Sequence, residues 1–484
     1  MAFYQTLSVD SILEPKVLLL GTIFIVSNYF LFKRIFGTKK LPPGSLGWPV
    51  VGETVQFLHN PAKFVVIRMG KYSNEVFKTN ILGENTAVLC GPAGNKFMFT
   101  NEQKLVKVWH PHSTQKIFYS NKPQQAPPPP PNPTPQEAGK QGALRSMGFL
   151  RPEAVMRYLD KIDLITKHHL NTHWEGKQEV KVYSLVKTYT LALACQLFMG
   201  VNDPDLVERL VGKFDELSHG IHTIAWNIPG MAFYGAKKAA VAISGEIQQV
   251  IKQKSDAMAS GVQMQDILSY MIKAGQEGKF KAPADIAEAI MGLISAGYGT
   301  TAIALTFAMK YIGERPDVYQ KILAEQMEIK SSEGFNGVLD WDHMQKMKYT
   351  WNVVSETMRL RAPLQGMFRE AMTDLTYAGY TIPKGWKLYW TVSSTNKNPD
   401  YFANPEKFDP SRFEDGSTPY TFNPFGGGPR MCPGKEYARV VVLTFLHNVV
   451  TKFKWDLLCP DEKVIGDMAP APELGVPIRL HSAN

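Results

Sequence analysis

The sequence predicts a mainly α-helical protein with small β-sheets, in which one large domain follows an N-terminal membrane segment. Apolar residues recur at a spacing of three or four over residues 152–258, which is the period of amphipathic helices. Two shorter regions, residues 76–90 and 374–390, carry the β-branched and aromatic clusters bounded by glycine that are typical of hairpins. An uncharged apolar run, residues 17–32, stands near the N-terminus.

The first element is expected to be a membrane anchor. The sixteen residues 17–32 contain no charged side chain, although a usual span has about 17–25 residues, so flanking side chains would have to reach the interface. The basic residues that follow are Lys33, Arg34, Lys39 and Lys40. Positive charge on this side predicts a cytosolic location for the rest of the chain. A cleaved signal peptide is the alternative, which the order of charge and the lack of a small-residue cleavage site disfavour.

The anchor and its basic flank occupy residues 1–40 in this interpretation, and a hinge and a hairpin follow. Residues 41–49 contain prolines that cannot continue a helix, so we expect a stiff, proline-rich hinge. The remaining residues, 50–484, form the large domain. Residues 76–82 and 86–90 predict two strands joined at Gly83.

Residues 122–136 read KPQQAPPPPPNPTPQ, a composition that predicts polyproline II or disordered chain. We interpret this segment as a proline-rich loop within the large domain. A docking site for a proline-reading domain is the alternative.

Residues 284–313 predict a long apolar helix with two glycines near its middle, Gly297 and Gly299. Each glycine costs about 1 kcal/mol in a helix interior, and Thr300 and Thr301 can bond back to a carbonyl one turn earlier and bend the helix. We therefore expect an interruption and a local opening at this point.

A second hairpin is expected at residues 374–390. Its strands would cover residues 375–382 and 386–390, with the turn at residues 383–385, which read PKG.

Composition and charge exclude several classes of protein. Hydrophobic residues make up 44% and charged residues 20%, which excludes general disorder and a polytopic membrane protein. The net charge of +9 suits an anionic membrane surface or an acidic protein partner, and no nucleic-acid motif accompanies it.

His169 and His173 have the spacing of a metal pair but lack a third ligand, so we interpret them as a solvated helix face. The four cysteines are too far apart for a disulfide scaffold or a CxxC zinc site: Cys90, Cys195, Cys432 and Cys459.

The chemistry is concentrated at Cys432, in the glycine-rich loop 425–434 that precedes a predicted helix over residues 435–450. A cysteine at a helix N-terminus meets unpaired amide groups and the positive end of the dipole, which favour the thiolate. Arg430 adds a positive charge two residues earlier. The glycines allow the backbone to approach a large flat group, and a thiolate ligand to haem iron would need this arrangement. A buried cysteine in a turn is the alternative on these local features.

With these residues the chain resembles the cytochrome P-450 family. The loop fits the family signature F-x-x-G-x-R-x-C-x-G at its five fixed positions, Phe425, Gly428, Arg430, Cys432 and Gly434. Three more segments are similar to family motifs in the family's order: residues 296–301 (AGYGTT), 356–359 (ETMR, matching E-x-x-R) and 408–413 (FDPSRF). The resemblance implies the cytochrome P-450 fold, with residues 50–484 as a haem-thiolate monooxygenase domain.

The resemblance also implies roles for individual residues. The cofactor would be haem b, an iron protoporphyrin, with Cys432 as the axial ligand. The other implied cofactor-binding residues are Phe425, Gly428, Arg430, Gly434 and Arg369. Thr300 and Thr301 would support proton delivery to bound oxygen. The pair Glu356 and Arg359, spaced i,i+3 on one helix face, would form a buried structural network with Arg412 that braces the haem loop.

The sequence departs from the family pattern at two places. Gly299 stands where the family usually has an acid before the threonine, so protons would have to come through water, the threonines or a substrate hydroxyl. No tryptophan matches the family's usual propionate contact near the proline run, so Arg369 is the better propionate partner.

Several short segments outside these motifs are similar to one plant branch of the family, the triterpenoid oxidases. The similar segments are residues 41–44, 91–97, 345–352, 383–387 and 419–422. The resemblance implies oxidation of a pentacyclic triterpene such as β-amyrin, with C-28 as the expected carbon. A taxane-like diterpenoid or a steroid-like hormone is the alternative substrate. By analogy, the pocket would be lined by Ser295, Ala296, Leu364, Gln365, Met367 and Leu474.

The implied partners are O₂, a hydrophobic terpenoid, and an NADPH-dependent reductase that supplies two electrons; nucleic acid is not expected. The implied location is the endoplasmic reticulum membrane, with a single-pass N-terminal anchor and a cytosolic catalytic domain. Two other classes stay open at this point. One is a haem-thiolate isomerase or dehydratase, which Gly299 favours, and the other is a non-catalytic haem- or sterol-binding protein.

Overall fold

This computed structural model describes residue 22 and residues 40–49, 51–118, 148–278, 282–466 and 468–482. The predicted membrane anchor lies outside the described residues, apart from Thr22 and Lys40. The predicted proline-rich loop, residues 122–136, also lies outside them.

Helices make up most of the described chain. In chain order they are α1 (Thr54–His59), α2 (Pro61–Lys71), α3 (Gly91–Thr100), α4 (His112–Phe118), α5 (Pro152–Met156), α6 (Leu159–His173), α7 (Val182–Ala194), α8 (Pro204–Ile221), α9 (Ala232–Ala259), α10 (Ile267–Gln276), α11 (Pro283–Gly313), α12 (Pro316–Lys330), α13 (Trp341–Lys346), α14 (Lys348–Leu360) and α15 (Lys435–Val450). A π-helical turn, Cys195–Met199, extends α7. Short 3₁₀ turns lie at Val392–Ser394, Pro410–Phe413 and Gly428–Arg430.

Within the described residues, the strands are short and form four small sheets. They are β1 (Val76–Ile81), β2 (Glu84–Leu89), β3 (Val106–Val108), β4 (Glu179–Lys181), β5 (Gly366–Ala371), β6 (Leu375–Tyr377), β7 (Tyr380–Ile382), β8 (Lys387–Thr391), β9 (Phe453–Leu457), β10 (Val464–Ile465), β11 (Ala471–Pro472) and β12 (Pro477–Ser482). The largest sheet has the order β1-β2-β8-β5-β3, in which only the β2–β8 pair is parallel. The mainly helical fold class with small sheets is confirmed.

The first predicted hairpin is confirmed. Strands β1 and β2 are antiparallel and pair Ile81 with Glu84 across a two-residue turn. Both turn residues, Leu82 and Gly83, have positive φ, at 56° and 80°. Such a turn matches the twist of the flanking strands, and glycine adopts it readily.

The second predicted hairpin is wrong in its pairing. The chain reverses at Ala378 and Gly379, which both have positive φ, so that β6 pairs with β7. Strand β8 pairs with β5 on one side and with β2 on the other. Residues 383–385 therefore connect two different sheets instead of joining a pair of strands.

The predicted hinge lies against the body of the protein. The Pro43 carbonyl accepts a hydrogen bond from the Lys78 amide at 2.8 Å, and the Lys40 carbonyl accepts one from the Thr381 amide at 2.8 Å. Gly44 forms a parallel bridge with Lys78, and a Cβ at Gly44 would lie 2.1 Å from the Lys78 carbonyl oxygen. Residues 40–44 are thus held in place by strands β1 and β7.

Helix α11 lies in the largest apolar core and packs against α7, α9, α14 and α15. Two helical stretches in the described residues, Val182–Met199 and Pro283–Gly313, are long and apolar enough to span a membrane. In each, 61% of the apolar window is buried inside the protein. Buried core helices of soluble proteins pass the same test, so these two are weak evidence for a membrane span.

Candidate active site

The cysteine loop closes on itself directly before α15. The Cys432 amide donates a hydrogen bond to the Phe425 carbonyl at 2.8 Å, which fixes the loop's width. Gly428 has a φ of 65°, and Gly434 forms the N-cap of α15. The helix bounds are as predicted, and Cys432 lies three residues before the helix with its side chain exposed. The thiol is therefore accessible near the positive end of a sixteen-residue helix.

Helix α3 supports this loop from behind. A Cβ at Gly427 would lie 2.4 Å from Cδ2 of Phe99, and one at Gly428 would lie 2.2 Å from the Phe99 carbonyl oxygen. The Asn95 side-chain amide, also on α3, donates to the Tyr420 carbonyl at 2.9 Å. Side chains at Gly427 and Gly428 would therefore push the loop away from α3.

Glu102 brings together the two arginines that the resemblance assigns to the cofactor. The Arg369 Nε donates to Glu102 Oε2, and both side chains are almost fully buried. The Arg430 Nε lies 4.0 Å from Glu102 Oε1. Within the described part of the chain, neither Arg430 Nε nor Glu102 Oε1 has a hydrogen-bond partner. The cluster thus holds two guanidinium groups against one carboxylate and carries a net positive charge.

His110 adds to the unusual electrostatics of this cluster. Burial, followed by the charges of His222, Arg369 and Arg430, lowers the pKa of His110 to about 4. The imidazole is therefore neutral at pH 7, so the two arginines supply the positive charge.

Helix α11 carries the two predicted catalytic threonines. The Thr300 hydroxyl donates to the Ala296 carbonyl at 2.7 Å, which is the predicted bond to the preceding turn. Thr300 and Ser295 are half-buried, Ala296 is exposed, and Thr301 is buried. Thr300 is thus the more accessible of the two threonines.

The predicted interruption of α11 is wrong, because the helix runs unbroken from Pro283 to Gly313. A Cβ at Gly297 would meet the rings of Phe198 and Tyr437 at 3.6 Å, so the helix is packed at ordinary contact distance there. A Cβ at Gly299 would have no heavy atom of the described residues within 4 Å. The space beside Gly299 is open, although the helix is not interrupted there.

Glu356, Arg359 and Arg412 come together as an ion-pair network. Arg359 makes a bidentate pair with Glu356 at 2.7 and 2.8 Å, and both side chains are fully buried. Arg412 Nε lies 3.4 Å from Glu356 Oε1, which also accepts from the Asp409 amide at 2.8 Å. Arg359 further donates to the carbonyls of Asn396, Pro405 and Lys407. The network ties α14 to the chain segment that leads to the cysteine loop.

The predicted pocket residues of the C-terminal half occupy different surroundings. Leu364 and Met367 are partly buried and pack against two separate apolar clusters. The Gln365 side-chain oxygen accepts from the Ser393 hydroxyl at 2.8 Å. Leu474 is 47% exposed, and its amide donates to Glu462. The prediction of a common lining is therefore least supported at Leu474.

The histidine pair is not a solvated face, because His169 is buried. Its Nε2 accepts a hydrogen bond from the Trp174 indole at 3.2 Å, and the His169 and His173 rings lie 4.8 Å apart. The Tyr189 ring on α7 lies 5.3 Å from the His169 ring, a contact that the i,i+4 spacing does not reveal. In the described ranges there is no group of three or more His, Cys, Asp or Glu side chains that could hold a metal ion.

A cavity of about 270 Å³ lies elsewhere, between the π-helical turn and the C-terminal end of α9. Its polar lining includes Lys254 and Asp266, which form a buried ion pair at 2.6 Å. It is lined by no predicted site residue, so it is separate from the cysteine loop.

The family model described as Cytochrome P450 matches residues 42–479 of this chain. The chain belongs to the cytochrome P-450 family. It is a haem-dependent monooxygenase, as its curated relatives are.

Three relatives of this P-450 come from plants. It is 46% identical over 474 residues to a β-amyrin 28-monooxygenase of Medicago truncatula, covering 96% of this chain and 97% of the relative. It is 48% identical over 455 residues to a β-amyrin 28-monooxygenase of Vitis vinifera, covering 92% and 93%. It is 44% identical over 481 residues to a β-amyrin 6-β-monooxygenase of Solanum lycopersicum, covering 97% and 99%.

The fold matches a solved structure of the same family. The retinoic-acid-bound cyanobacterial CYP120A1 superimposes with a TM-score of 0.81 at 29% sequence identity, covering 92% of this chain and 100% of that one. The cytochrome P-450 fold is thereby confirmed.

The residues present fit the haem that the family implies. Cys432 presents an accessible sulfur next to a helix N-terminus, which suits a thiolate ligand. Arg430 Nε is buried without a hydrogen-bond partner in the described residues, which suits an acidic group of the cofactor. Gly427 and Gly428 let the loop lie directly against Phe99 of α3, because neither residue has a side chain to hold the loop away from the helix. Glu102 and its central position went unnoticed in the sequence, because no local pattern distinguishes it.

Proposed function

We propose that this P-450 inserts one atom of O₂ into an unactivated C–H bond of a pentacyclic triterpene, most specifically β-amyrin at C-28. One oxygen atom enters the C–H bond, and the other leaves as water. Two electrons come from NADPH through a reductase, and two protons come from solvent and NADPH. The observation that carries this proposal is the similarity, over nearly the whole chain, to relatives named for β-amyrin oxidation.

Cys432 would hold the haem iron, and Arg369 and Arg430 would hold its acidic side chains. When bound, the haem supplies the activation of O₂ that protein side chains lack. Phe425, Gly428 and Gly434 shape the loop that carries Cys432. In this arrangement the buried Glu356–Arg359 pair, with Arg412, has a structural role, because it contacts the segment before the loop and not the loop itself.

Thr300 would position a proton-carrying water, because its half-buried hydroxyl donates to the Ala296 carbonyl and its Oγ1 can still accept a hydrogen bond from that water. Thr301 is buried and would support the helix from the packed side. The open space beside Gly299 has room for water in place of the acid that the family usually carries there. Water would then relay protons to Thr300.

Attack at C-6 is the second candidate. The 6-β-monooxygenase of Solanum lycopersicum is 44% identical to this chain, close to the 46% of the Medicago truncatula 28-monooxygenase. Overall similarity therefore does not distinguish the two carbons, and the choice depends on the lining of the pocket.

The membrane location and the reductase follow from the nature of the substrate and from the N-terminal sequence. Triterpenes partition into bilayers, and an uncharged run with a basic flank, residues 17–40, precedes the matched domain. We propose an endoplasmic reticulum location with the catalytic domain in the cytosol. The electron donor would then be a reductase of the same membrane.

The test is turnover by the full chain in microsomal membranes with a plant reductase, NADPH, ¹⁸O₂ and β-amyrin. We expect a product that carries one ¹⁸O atom at C-28 and requires NADPH. A labelled product at C-6 would replace C-28 with the second candidate. A protein that shows the haem-thiolate absorption but yields no β-amyrin product would overturn the proposed substrate, and a panel of diterpenoids and steroids would then be assayed.

A further inference from the structure

Asp215 joins three helices through one carboxylate. The Tyr298 hydroxyl on α11 donates to Asp215 Oδ1 at 2.7 Å, and the Lys187 ammonium on α7 donates to Asp215 Oδ2 at 2.5 Å. Tyr298 is 1% exposed, and the side chains of Lys187 and Asp215 are 16% and 33% exposed. These contacts are sheltered from solvent, so they are stronger than an exposed surface pair.

Tyr298 lies inside the AGYGTT segment, two residues before Thr300. At 100° per residue, the two side chains project from nearly opposite faces of α11. Burial, and then the Asp215 carboxylate, raise the pKa of Tyr298, so its phenol stays protonated and donates. Because the hydroxyl faces away from Thr300, the bond acts on Thr300 through the position of the helix and not by passing a proton.

Helices α8 and α9 form one packed unit at their junction. A Cβ at Gly220 on α8 would lie 2.3 Å from the Ala236 Cβ on α9, which shows how closely the two helices approach. The end of α8 is held by α4, where the Ser113 and Thr114 hydroxyls both donate to the Ile221 carbonyl at 2.6 Å. The middle of α8 is held at Asp215.

We propose that Asp215, Tyr298 and Lys187 form a clamp that holds the α8–α9 pair on α11 and sets how firmly the hydrophobic substrate is retained beside Thr300. The identity of that substrate rests on the proposed function, whereas the clamp does not. Tyr298, Asp215 and Lys187 are positioning residues, since they act through the helices.

The test compares holoenzyme variants by hydrogen–deuterium exchange and by turnover. Tyr298→Phe keeps the ring that packs against Phe214, at 5.9 Å between centroids, and removes the hydroxyl. Loss of a hydrogen bond to a charged group predicts about tenfold faster exchange in the middle of α8. We also expect KM for β-amyrin to rise about fivefold, with kcat changed less than about twofold, because the substrate is held less firmly.

Two further variants make the result specific. Tyr319→Phe removes the hydroxyl of another buried tyrosine, which donates to the Val450 and Phe453 carbonyls at 3.1 Å, and it should leave α8 exchange and KM unchanged. In the double variant Tyr298→Phe with Asp215→Asn, the second substitution should change α8 exchange and KM by less than about a further twofold. Both substitutions remove the same interaction, so their effects should not add. Lys187→Gln should also make exchange in the middle of α8 faster. It replaces Tyr298→Phe as the test if that variant does not fold.

Unchanged exchange in α8, or effects of Tyr298→Phe and Asp215→Asn that add in full, would overturn the clamp. Exchange is measured without substrate, so this outcome is independent of whether β-amyrin is oxidised. A wild-type enzyme inactive toward β-amyrin, with faster α8 exchange in Tyr298→Phe, would overturn the proposed substrate and support the clamp.

Discussion

Glu102 and Arg369 form a buried ion pair behind the cysteine loop, with side chains 2% and 6% exposed. Arg430 lies on the other side of the same carboxylate, 4.0 Å from it. Glu102 therefore orients Arg369 and partly neutralises the positive charge of both guanidinium groups.

Replacement of this carboxylate is expected to be costly. In Glu102→Gln the Arg369 guanidinium stays buried without its counter-charge, which predicts a loss of about 3–5 kcal/mol in the free energy of unfolding. Glu406→Gln is the matched control, because Glu406 is 73% exposed and pairs with Lys397 on the surface, where the expected loss is about 0–1 kcal/mol. Urea denaturation measures both. Equal losses in the two variants would show that Glu102 has no special role.

Cys432→Ala is expected to abolish haem-thiolate formation, because the chain would lose the sulfur that precedes α15. The measurement is the reduced, CO-bound difference spectrum of the purified protein. Cys459→Ala is the matched control, since Cys459 is partly exposed near the end of β9 and outside the loop. A normal spectrum from Cys432→Ala would refute the assignment of the axial ligand.

Gly299→Ala is expected to stabilise the protein by about 0.5–1 kcal/mol. Alanine is the better helix former, and the open space at this position accepts a methyl group. Gly220→Ala, also within a helix, should destabilise it, because the new Cβ would lie 2.6 Å from the Ala232 carbonyl oxygen. Thermal denaturation distinguishes the two signs. Stabilisation by both variants would show that α8 and α9 separate more easily than their packing indicates.

Stability is expected to fall between pH 6.5 and pH 4 because of buried neutral histidines. Burial, followed by His173 and His168, lowers the pKa of His169 to about 3, and burial lowers the pKa of His447 to about 4. In this window the unfolded chain, with histidine pKa near 6.5, binds protons that the folded state excludes. The stabilisation is complete above pH 6.5 and is lost as the pH falls, with a slope of up to about 1.4 kcal/mol per pH unit for each histidine.

His169→Gln tests this contribution, because the glutamine oxygen can still accept the Trp174 indole bond. Its free energy of unfolding should depend less steeply on pH between 6.5 and 4 than that of the wild type. His173→Gln should change the slope less, because His173 is exposed and burial, the main cause of its lowered pKa, acts there in a more solvated place, followed by His168 and Lys177. A slope for His169→Gln equal to that of the wild type would contradict the prediction.

Features encoded by neighbouring residues were predictable from the sequence, and features formed by distant residues were not. The β1–β2 turn lies at two adjacent residues, Leu82 and Gly83, and the cysteine loop and α15 follow from the continuous stretch 425–450. The pairing of β8 was missed because its partners, β5 and β2, come from other parts of the chain, and because Ala378 adopts a positive φ that alanine seldom takes.

The same distinction applies to the site. Glu102 and Arg369 are 267 residues apart, and Asp215 and Tyr298 are 83 apart, so no local spacing indicates either pair. Glu356 and Arg359, three residues apart on α14, could be paired from the sequence. Their spacing alone does not show that they are buried, which only the family resemblance implied, because burial depends on the packing of α14 against α11 and on the segment before the cysteine loop.

The support of the cysteine loop by α3 has a consequence for biosynthesis. Asn95 and Tyr420 are 325 residues apart, so this contact forms only after nearly the whole chain has left the ribosome. Until the last quarter of the protein has been synthesised, α3 has no cysteine loop to pack against, and the apolar face that it turns to the loop stays uncovered. A nascent chain stalled before Phe425 therefore lacks the cysteine loop and cannot assemble this site.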